Sequence, residues 1–408
     1  MTDGHDDWRP GGRGHEAWFG ASSHADAAAL AVAIAALLPE GTALPDLEVR
    51  RSGIRVGLRL TDHDPDLREA VSGAARALGL TADPQVLQRV GLLIESEDPQ
   101  RLTAFWRAAA DLTDVGDDAL GDDLRRRPTI AFAHATATSA LRNRVHVDVG
   151  HPGPRDDAAA AALAAGGREA FGCEWYSTLA DPDGNEVDVV PGGPWEGSAT
   201  TDWNTLFGAM VCYPAGSADR AAAFAAAAAG LADDAGIDLM IDLRADAVVL
   251  DSGKDQWEEI AGFADLAGAI QSAAHDAGLI ADNGRLRFVQ LALDAVDIPV
   301  VREFWRVVLG YENAPNQEYF DLFDPRWLNP VLFLQRMDAA DVGRLEQSGR
   351  IRFDLQVPVD QLAARVDLAL AAGGRIVERD PADLRHRLAD PEGNELVLRA
   401  AGRPATEH

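Results

Sequence analysis

Cysteine and lysine are scarce in this chain, and each shortage narrows what the protein can do. The two cysteines, Cys173 and Cys212, are too few for a disulfide framework or a cysteine-ligated zinc site. Each is expected to be a small core residue. Lys254 is the only lysine, so Schiff-base chemistry has a single candidate residue.

Long hydrophobic runs and excess positive charge are also missing. No stretch reaches about eighteen consecutive apolar residues, so no membrane helix is predicted. The start of the chain is acidic, polar and glycine-rich, unlike a signal peptide, and residues 1–14 are expected to be a flexible tail. The net charge of −29 argues against nucleic acid as a partner, because the phosphates would be repelled. We therefore expect a cytoplasmic protein whose partner is a small molecule.

The chain contains an internal duplication. The segment "EDPQRLTAFWRAAADL" corresponds to "VDIPVVREFWRVVLGY", and "NRVHVDV" corresponds to "GRIRFDL". The turn segment "LADPDGNEVDVVP" (179–191) returns as "LADPEGNELVLRA" (388–400). Weaker matches extend the repeat towards the front of each half. Each half therefore consists of a smaller front domain and a rear domain of roughly a hundred residues.

Hydrophobic periodicity predicts the same order of elements in both halves. The pattern predicts a helix, a two-stranded hairpin and a second helix in each front domain. In each rear domain it predicts two successive strand–helix–strands units, the second closed by an Asp-Pro-x-Gly-Asn turn. The prediction is an α+β protein with these segments: tail 1–14, front domain 15–85, rear domain 86–195, front domain 196–284, rear domain 285–402 and tail 403–408.

The rear domains resemble the vicinal oxygen chelate superfamily, the glyoxalase/bleomycin-resistance group. The resemblance rests on "DIPVVREFWRVVLGY", "RNRVHVDV" and the closing "DP-x-GN" hairpin, and it covers residues 86–195 and 285–400. It implies paired βαβββ domains with curved mixed sheets, in which the concave face, or cup, holds the ligand. The implied function is lyase- or isomerase-type chemistry on a small organic molecule. A non-catalytic protein that binds a small molecule such as an antibiotic is the alternative.

The front domains more weakly resemble pterin-4a-carbinolamine dehydratase. Pro45 and Asp46 match the end of that family's His-His-Pro-Asp motif, Ala43 and Leu44 replace its histidines, and His63 lies near the position of a third histidine. The second front domain has lost the motif. A lyase acting like 4a-hydroxytetrahydrobiopterin dehydratase is a second alternative, on a scaffold that lacks two of the imidazoles used for proton transfer.

Strand alternation separates core residues from cup residues in the rear domains. In "VHVDV" the valines share the core face, and His146 and Asp148 share the cup face. The other predicted cup residues are Glu186 and Asp188 in the first copy and Arg352, Asp354, Glu395 and Val397 in the second. His134 and Trp175 are added as ligand-pocket candidates.

Catalytic roles follow from the residue types in the cups. Asp188, Glu186 or His146 would act as general base, and Arg352 would stabilise an oxyanion. Arg352 and Asp354 are also expected to form an ion pair or an anion clamp.

A divalent metal ion is the only cofactor that the resemblance implies. Metal-using relatives place ligands on the first strand of each unit and seven residues after the aspartate of the closing turn. The first copy offers Gly91, His146 and Asp188 at these positions, and the second offers Gln290, Arg352 and Val397. Neither set alone suits a divalent ion.

Pairing of units across the two copies would change these sets. It would bring Gln290 to His146 and Asp188, with Gln335 or a neighbouring residue as the fourth ligand, and leave the other set without metal. The alternative, which we favour, is that His146 lines the cup and hydrogen-bonds the ligand or the neighbourhood of Asp148. The duplicated chain would be a monomer with an internal pseudo-dimer interface, or a homodimer.

Overall fold

The structure is a computed structural model that describes residues 7–11, 14–59, 65–116, 119–135, 141–173, 175–314, 320–380, 382 and 384–402. The chain divides into two compact units. Unit 1 comprises Met1–Leu87 and Gly192–Leu286, and unit 2 comprises Gln88–Pro191 and Arg287–His408. The two front segments therefore share one unit, and the two rear segments share the other.

The first front segment of unit 1 contains five strands and two helices. They are β1 (Arg9–Gly11), β2 (Gly14–Gly20), α1 (His24–Leu37), β3 (Asp46–Arg50), β4 (Gly53–Arg59), α2 (Pro65–Ala77) and β5 (Thr81–Ala82). Helix α1 begins where the Ser23 side chain accepts a hydrogen bond from the Asp26 amide. Residues 9–11 pair with 14–16, and Trp8 is buried with its Nε1 donating to Ser72 Oγ at 3.1 Å. The expected tail is therefore wrong from residue 8 to 11, because a large indole is buried there.

The first rear segment belongs to unit 2. Its elements are β6 (Arg89–Ser96), α3 (Pro99–Ala110), β7 (Thr113–Gly116), β8 (Ala119–Gly121), β9 (Ile130–His134), β10 (Val145–His151), α4 (Arg155–Ala164), β11 (Arg168–Gly172), β12 (Ser177–Ala180) and β13 (Glu186–Pro191). The turn between β12 and β13 is built on Asp181, whose buried carboxylate accepts hydrogen bonds from the amides of Asp183 and Asn185 and from Trp106 Nε1.

The second front segment returns to unit 1. It contains β14 (Gly193–Pro194), β15 (Asn204–Leu206), β16 (Gly208–Pro214), α5 (Ala218–Ala235), β17 (Met240–Leu243), β18 (Ala247–Asp251), α6 (Gln256–Glu259) and α7 (Phe263–Asp276). The expected border after residue 195 lies instead after residue 191, because Gly193 and Pro194 pair with Thr205 and Asn204.

The second rear segment completes unit 2. It contains β19 (Phe288–Ala295), α8 (Ile298–Leu309), β20 (Glu312–Asn313), β21 (Leu322–Phe323), β22 (Leu332–Arg336), α9 (Val342–Glu346), β23 (Ile351–Val357), α10 (Leu362–Ala371), β24 (Arg375–Asp380), β25 (Arg385–Ala389) and β26 (Glu395–Ala400). Among the described residues, every helix of the protein is too short or too polar to span a bilayer.

Unit 1 is one sheet with helices packed on one face. The strand order is β1-β2-β4-β3-β17-β18-β16-β15-β14, with β5 beside β2, so the two front segments join at β3 and β17. At this seam Arg50 pairs with Asp242 at 2.7 Å, and Arg244 pairs with Glu48 at 2.7 Å. The two ion pairs are reciprocal, as in a symmetric dimer interface. His63 lies outside the described residues.

Unit 2 contains two eight-stranded sheets, and each sheet combines strands of both copies. One has the order β11-β12-β13-β10-β19-β22-β21-β20, and the other β24-β25-β26-β23-β6-β9-β8-β7. The βαβββ units therefore pair across the copies. The core lies on the helix side and includes Trp106, Trp305 and the alternating valines of β10. The polar residues between those valines face the opposite side, which forms the cup.

Candidate functional site

The first cup is the face of the sheet around β10, where strands of both copies meet. Strand β10 runs parallel to β13 and antiparallel to β19. The register places Asp148 opposite Asp188 on one side and opposite Gln290 on the other. Because neighbouring strands lie roughly 5 Å apart, these three side chains share one small area with His146, two residues earlier on the same strand.

His146, Asp148 and Asp188 form a compact cluster on the floor of this cup. Each offers one ligand atom, and these atoms all lie within 4.8 Å of one another. The imidazole Nε2 of His146 is 3.5 Å from Asp148 Oδ1 and 3.9 Å from Asp188 Oδ2. Within the part of the chain that the structure describes, no other group of three histidine, cysteine or acidic side chains comes as close. We call these three residues the acidic cluster.

Among the described residues, two buried oxygen atoms beside the acidic cluster lack a hydrogen-bond donor. They are Asp188 Oδ1 and Gln290 Oε1. The other end of the Gln290 amide is engaged, since its Nε2 donates to Asp148 Oδ2 at 2.6 Å. A buried hydrogen-bond acceptor without a donor destabilises the fold by about 1–3 kcal/mol. These two oxygens are therefore available to bind a cation.

Arginines neutralise the carboxylates around the acidic cluster but not Asp188. Arg142 Nε donates to Glu186 Oε2 at 2.7 Å, and Arg344 Nη2 donates to Asp294. Among the described residues, no arginine lies within ion-pair distance of Asp188, whose titratable neighbour is His146, with Nε2 3.9 Å away. The cluster therefore retains negative charge.

Aromatic residues stand on both sides of the acidic cluster. Tyr176 lies two residues before Thr178, which pairs with Asp188 on the neighbouring strand. Partial burial and the negative charge of Asp188 raise the pKa of its phenol. Phe171 packs against Tyr176 with ring centroids 6.1 Å apart. On the other side, Phe333 lies two strands from His146, across Ala292. The first cup thus combines an acidic floor with aromatic walls.

The second cup, on the other sheet of unit 2, has a different floor. Arg352 takes the position of His146, and Val397 takes that of Asp188. Arg352 Nε donates to Glu395 Oε2 at 2.7 Å, and its Nη1 pairs with Glu95. Burial alone would lower the pKa of Arg352, but the two glutamates raise it, so the guanidinium is a fixed cation.

Gly91 removes another ligand from the second cup. It holds the position that Gln290 has in the first cup, and a Cβ there would lie 2.8 Å from the Thr129 carbonyl oxygen. The close approach of this backbone therefore excludes a side chain. Val397 and Leu93 pack together nearby, and the described residues of the second cup include no ligand set for a metal ion.

The structure distributes the sequence-predicted residues between the two cups. His146, Asp148, Asp188, Glu186 and Gln290 are brought together in the first cup. Arg352, Asp354 and Glu395 lie in the second cup. Gln335 lies on β22 beside Asp294, to which its Nε2 donates at 2.6 Å.

Two expectations about these residues are wrong. Arg352 and Asp354 do not pair, because Asp354 accepts two hydrogen bonds from Arg399 at 2.7 and 2.8 Å. His134 does not point into a cup, because it is exposed and lies on the face of β9 opposite to Ala133, which packs on the cup side. Trp175 is 72% exposed and lies next to Tyr176, and its place in the ligand pocket stays a prediction.

Arg142 and Asp294 were not predicted as site residues. Arg142 lies four residues before His146, at the entry to β10, and a charged side chain at that point of "RNRVHVDV" was the available signal. Asp294 lies at the far end of β19, four residues after Gln290, on the same face by strand alternation.

Comparison with known proteins identifies the rear segments. The family described as "Glyoxalase-like domain" matches residues 91–190 and 290–398, together just over half of the chain. The chain belongs to the glyoxalase-like domain family. Both matched stretches lie in unit 2, which agrees with the resemblance to the vicinal oxygen chelate superfamily. The likeness of the front domains to pterin dehydratase stays a prediction.

Matches among solved structures include glyoxalase-related proteins, at low identity and low TM-score. A glyoxalase/bleomycin resistance protein/dioxygenase family enzyme from Burkholderia phytofirmans PsJN is 17% identical, covers 27% of this chain and 94% of its own, and has a TM-score of 0.21. A 2,2',3-trihydroxybiphenyl 1,2-dioxygenase from Sphingomonas wittichii strain RW1 is 11% identical, covers 78% of this chain and 91% of its own, and has a TM-score of 0.20. No curated protein matches the chain. The family assignment rests on the two matched stretches.

Proposed function

We propose that this glyoxalase-like protein is an enzyme that binds one divalent metal ion in the first cup and acts there on a small organic molecule, by lyase- or isomerase-type chemistry. The observation that carries the proposal is the pair of donor-less buried oxygens, Asp188 Oδ1 and Gln290 Oε1, beside the acidic cluster. A divalent cation would satisfy these oxygens and balance the charge of two aspartates.

The residues present fit such an ion. His146 would supply an imidazole nitrogen, Asp148 and Asp188 would each supply a carboxylate oxygen, and Gln290 Oε1 is a fourth candidate. Nitrogen and oxygen ligands of this kind suit first-row divalent ions such as Mn²⁺, Fe²⁺, Co²⁺ and Zn²⁺. The set has one more carboxylate than the sequence alone suggested, since Asp148 joins it.

The ion would supply Lewis-acid polarisation of a ligand oxygen. The chain's own residues have distinct tasks around it. Glu186 is not one of the proposed metal ligands, so its carboxylate can accept a proton from the ligand. Arg142 holds this carboxylate in place through Nε at 2.7 Å. The role expected for Arg352 does not transfer to this site, because Arg352 belongs to the second cup. Tyr176 and Phe333 offer apolar surface to the body of the ligand.

A non-catalytic binding protein is the second candidate. The observation that favours it is the aromatic surface beside the first cup, where Phe171 is 60% exposed and Trp175 is 72% exposed. Rigid aromatic side chains contribute large contact areas to bound small molecules. Dehydratase activity in unit 1 stays a prediction, because its remaining histidine, His63, lies outside the described residues.

Thermal unfolding with added metal and ligand separates the candidates. Protein stripped of metal is melted with each of Mn²⁺, Co²⁺ and Zn²⁺, then with a panel of small aromatic and carbonyl compounds. Stabilisation by a divalent ion, lost in His146→Ala and kept in His134→Ala, supports the enzyme. Stabilisation by an organic ligand alone, equal in both variants, supports the binding protein and contradicts the metal-dependent proposal.

A further inference from the structure

Each cup of unit 2 contains one arginine that bridges the same two carboxylate positions. In the first cup, Arg142 Nε donates to Glu186 at 2.7 Å, and its Nη1 is 3.8 Å from Asp294. In the second cup, Arg352 Nε donates to Glu395 at 2.7 Å, and its Nη1 pairs with Glu95. Glu395 and Glu95 are the duplicates of Glu186 and Asp294 in the repeated sequence. The two arginines therefore make equivalent ion pairs.

The two arginines reach these carboxylates from different places. Arg352 is on strand β23, on the floor of the second cup, and its side chain is 4% exposed. Arg142 lies before strand β10, and its side chain is 47% exposed. The residue that duplicates Arg142 is Ser348, whose Oγ accepts from Arg352 Nη2 at 3.2 Å. In the first cup the guanidinium therefore lies at the mouth instead of the floor, and His146 takes the floor position.

The backbone of Arg142 is fixed while its guanidinium faces solvent. The Arg142 carbonyl oxygen accepts hydrogen bonds from Gln347 Nε2 at 2.6 Å and from Arg344 Nε at 3.2 Å. Within the described residues, Nη2 of Arg142 has no hydrogen-bond partner. Burial lowers the pKa of Arg142, but Glu186, Asp294 and Asp188 raise it by more, so the pKa is raised overall. Glu186, which Arg142 Nε contacts at 2.7 Å, lies two residues before Asp188 on β13.

We propose that Arg142 binds an anionic oxygen of the ligand, and that the ligand of the first cup is a small organic anion such as a 2-oxo or 2-hydroxy acid. This inference rests on the proposed function, since a neighbouring oxygen of the same molecule would reach the ion at the acidic cluster. A guanidinium offers paired donors that match a carboxylate. Its position at the mouth, beside an ion site on the floor, fits a molecule with an anionic group next to a second oxygen.

Calorimetric titration of Mn²⁺ and then of pyruvate tests this assignment. Pyruvate carries a carboxylate beside a keto oxygen, and hydroxyacetone is a neutral probe with adjacent oxygens. Arg142→Gln is expected to bind Mn²⁺ at least as tightly as the wild type, because a nearby positive charge is removed. The same variant should bind pyruvate about tenfold to a hundredfold more weakly, with hydroxyacetone unchanged. Arg107→Gln, at a similarly exposed arginine paired with Asp114, is the control and should change neither affinity.

The outcomes separate this inference from the proposed function. Equal pyruvate affinity in the wild type and Arg142→Gln overturns the inference and leaves the ion site standing. Weakening of Mn²⁺ and pyruvate binding together assigns Arg142 a structural role and also overturns it. If the wild type binds no Mn²⁺, the proposed function fails. Pyruvate is then titrated without metal, and only its loss in Arg142→Gln supports the anion site.

Discussion

Neutralising Asp188 is predicted to stabilise unit 2 without metal and to leave its stability almost unchanged with metal. The ligand atoms of Asp148 and Asp188 lie at most 4.8 Å apart. At an effective dielectric constant of about 20, two like charges at that distance repel by about 3 kcal/mol. Asp188→Asn removes this repulsion, so the free energy of unfolding of the metal-free protein should rise by up to about 3 kcal/mol. For a unit of this size a rise of about 3 kcal/mol corresponds to a gain in Tm of about 6–12 °C.

Metal is expected to remove the difference between the two proteins. The wild type should gain about 2.7 kcal/mol when free Mn²⁺ is present at a hundred times its Kd. Asp188→Asn should gain almost nothing, because it has lost a charged ligand. Scanning calorimetry of both proteins in a chelator and in Mn²⁺ measures the four values. Metal-bound wild type and metal-free Asp188→Asn are expected to melt at similar temperatures.

A carboxylate that already has a cation provides the control. Glu395 in the second cup pairs with Arg352 at 2.7 Å, so Glu395→Gln should lower the Tm by a similar amount in chelator and in Mn²⁺. If Asp188→Asn also lowers the Tm in chelator, the two aspartates do not repel in the metal-free protein. The electrostatic argument for the ion site would then be refuted.

Two further predictions concern stability outside the acidic cluster. Burial raises the pKa of Glu48, but Arg55 and Arg244 lower it from 4.5 to about 2. These ion pairs therefore contribute about 3 kcal/mol to the free energy of unfolding. The contribution is present above pH 4.5 and is lost as the pH falls towards 2. Unit 1 should therefore lose thermal stability steeply in that window, and Glu48→Gln should melt lower at pH 7 with a flat acid profile; an unchanged profile would contradict this. In unit 2, the hydrogen-bond partners of the Asp390 carboxylate are donors, one of them Trp305 Nε1 at 3.0 Å. Asp390→Asn should therefore lower the free energy of unfolding measured in urea by about 2–6 kcal/mol. Trp305→Phe, which removes one donor, tests the hydrogen-bond argument separately from aromatic packing.

Much of unit 2 could be predicted from the sequence because its strands follow a strict alternation. Val147 on the core face and His146 and Asp148 on the cup face follow directly from a period of two. The duplication itself revealed that Asp188 has no counterpart, since Val397 stands in its place. Pairing across copies was one of two arrangements, and the strand order selects it.

The neighbours of these residues could not be predicted, because they depend on contacts between distant segments. Arg142 enters the site from a loop, and its backbone is held there by Gln347, 205 residues away. Arg352 carries a charge that could bind an anion, yet its side chain is only 4% exposed and is enclosed by Glu95 and Glu395. Alternation assigns a residue to a face but does not show which partner a long side chain reaches.

The number of divalent ions held by one chain tests the central claim most directly. Native mass spectrometry of protein loaded with Mn²⁺ and then desalted counts them. The account predicts one ion in the wild type, none in His146→Ala and one in His134→Ala. A second ion retained with similar strength, or an ion retained by His146→Ala, would contradict a single ion site in the first cup.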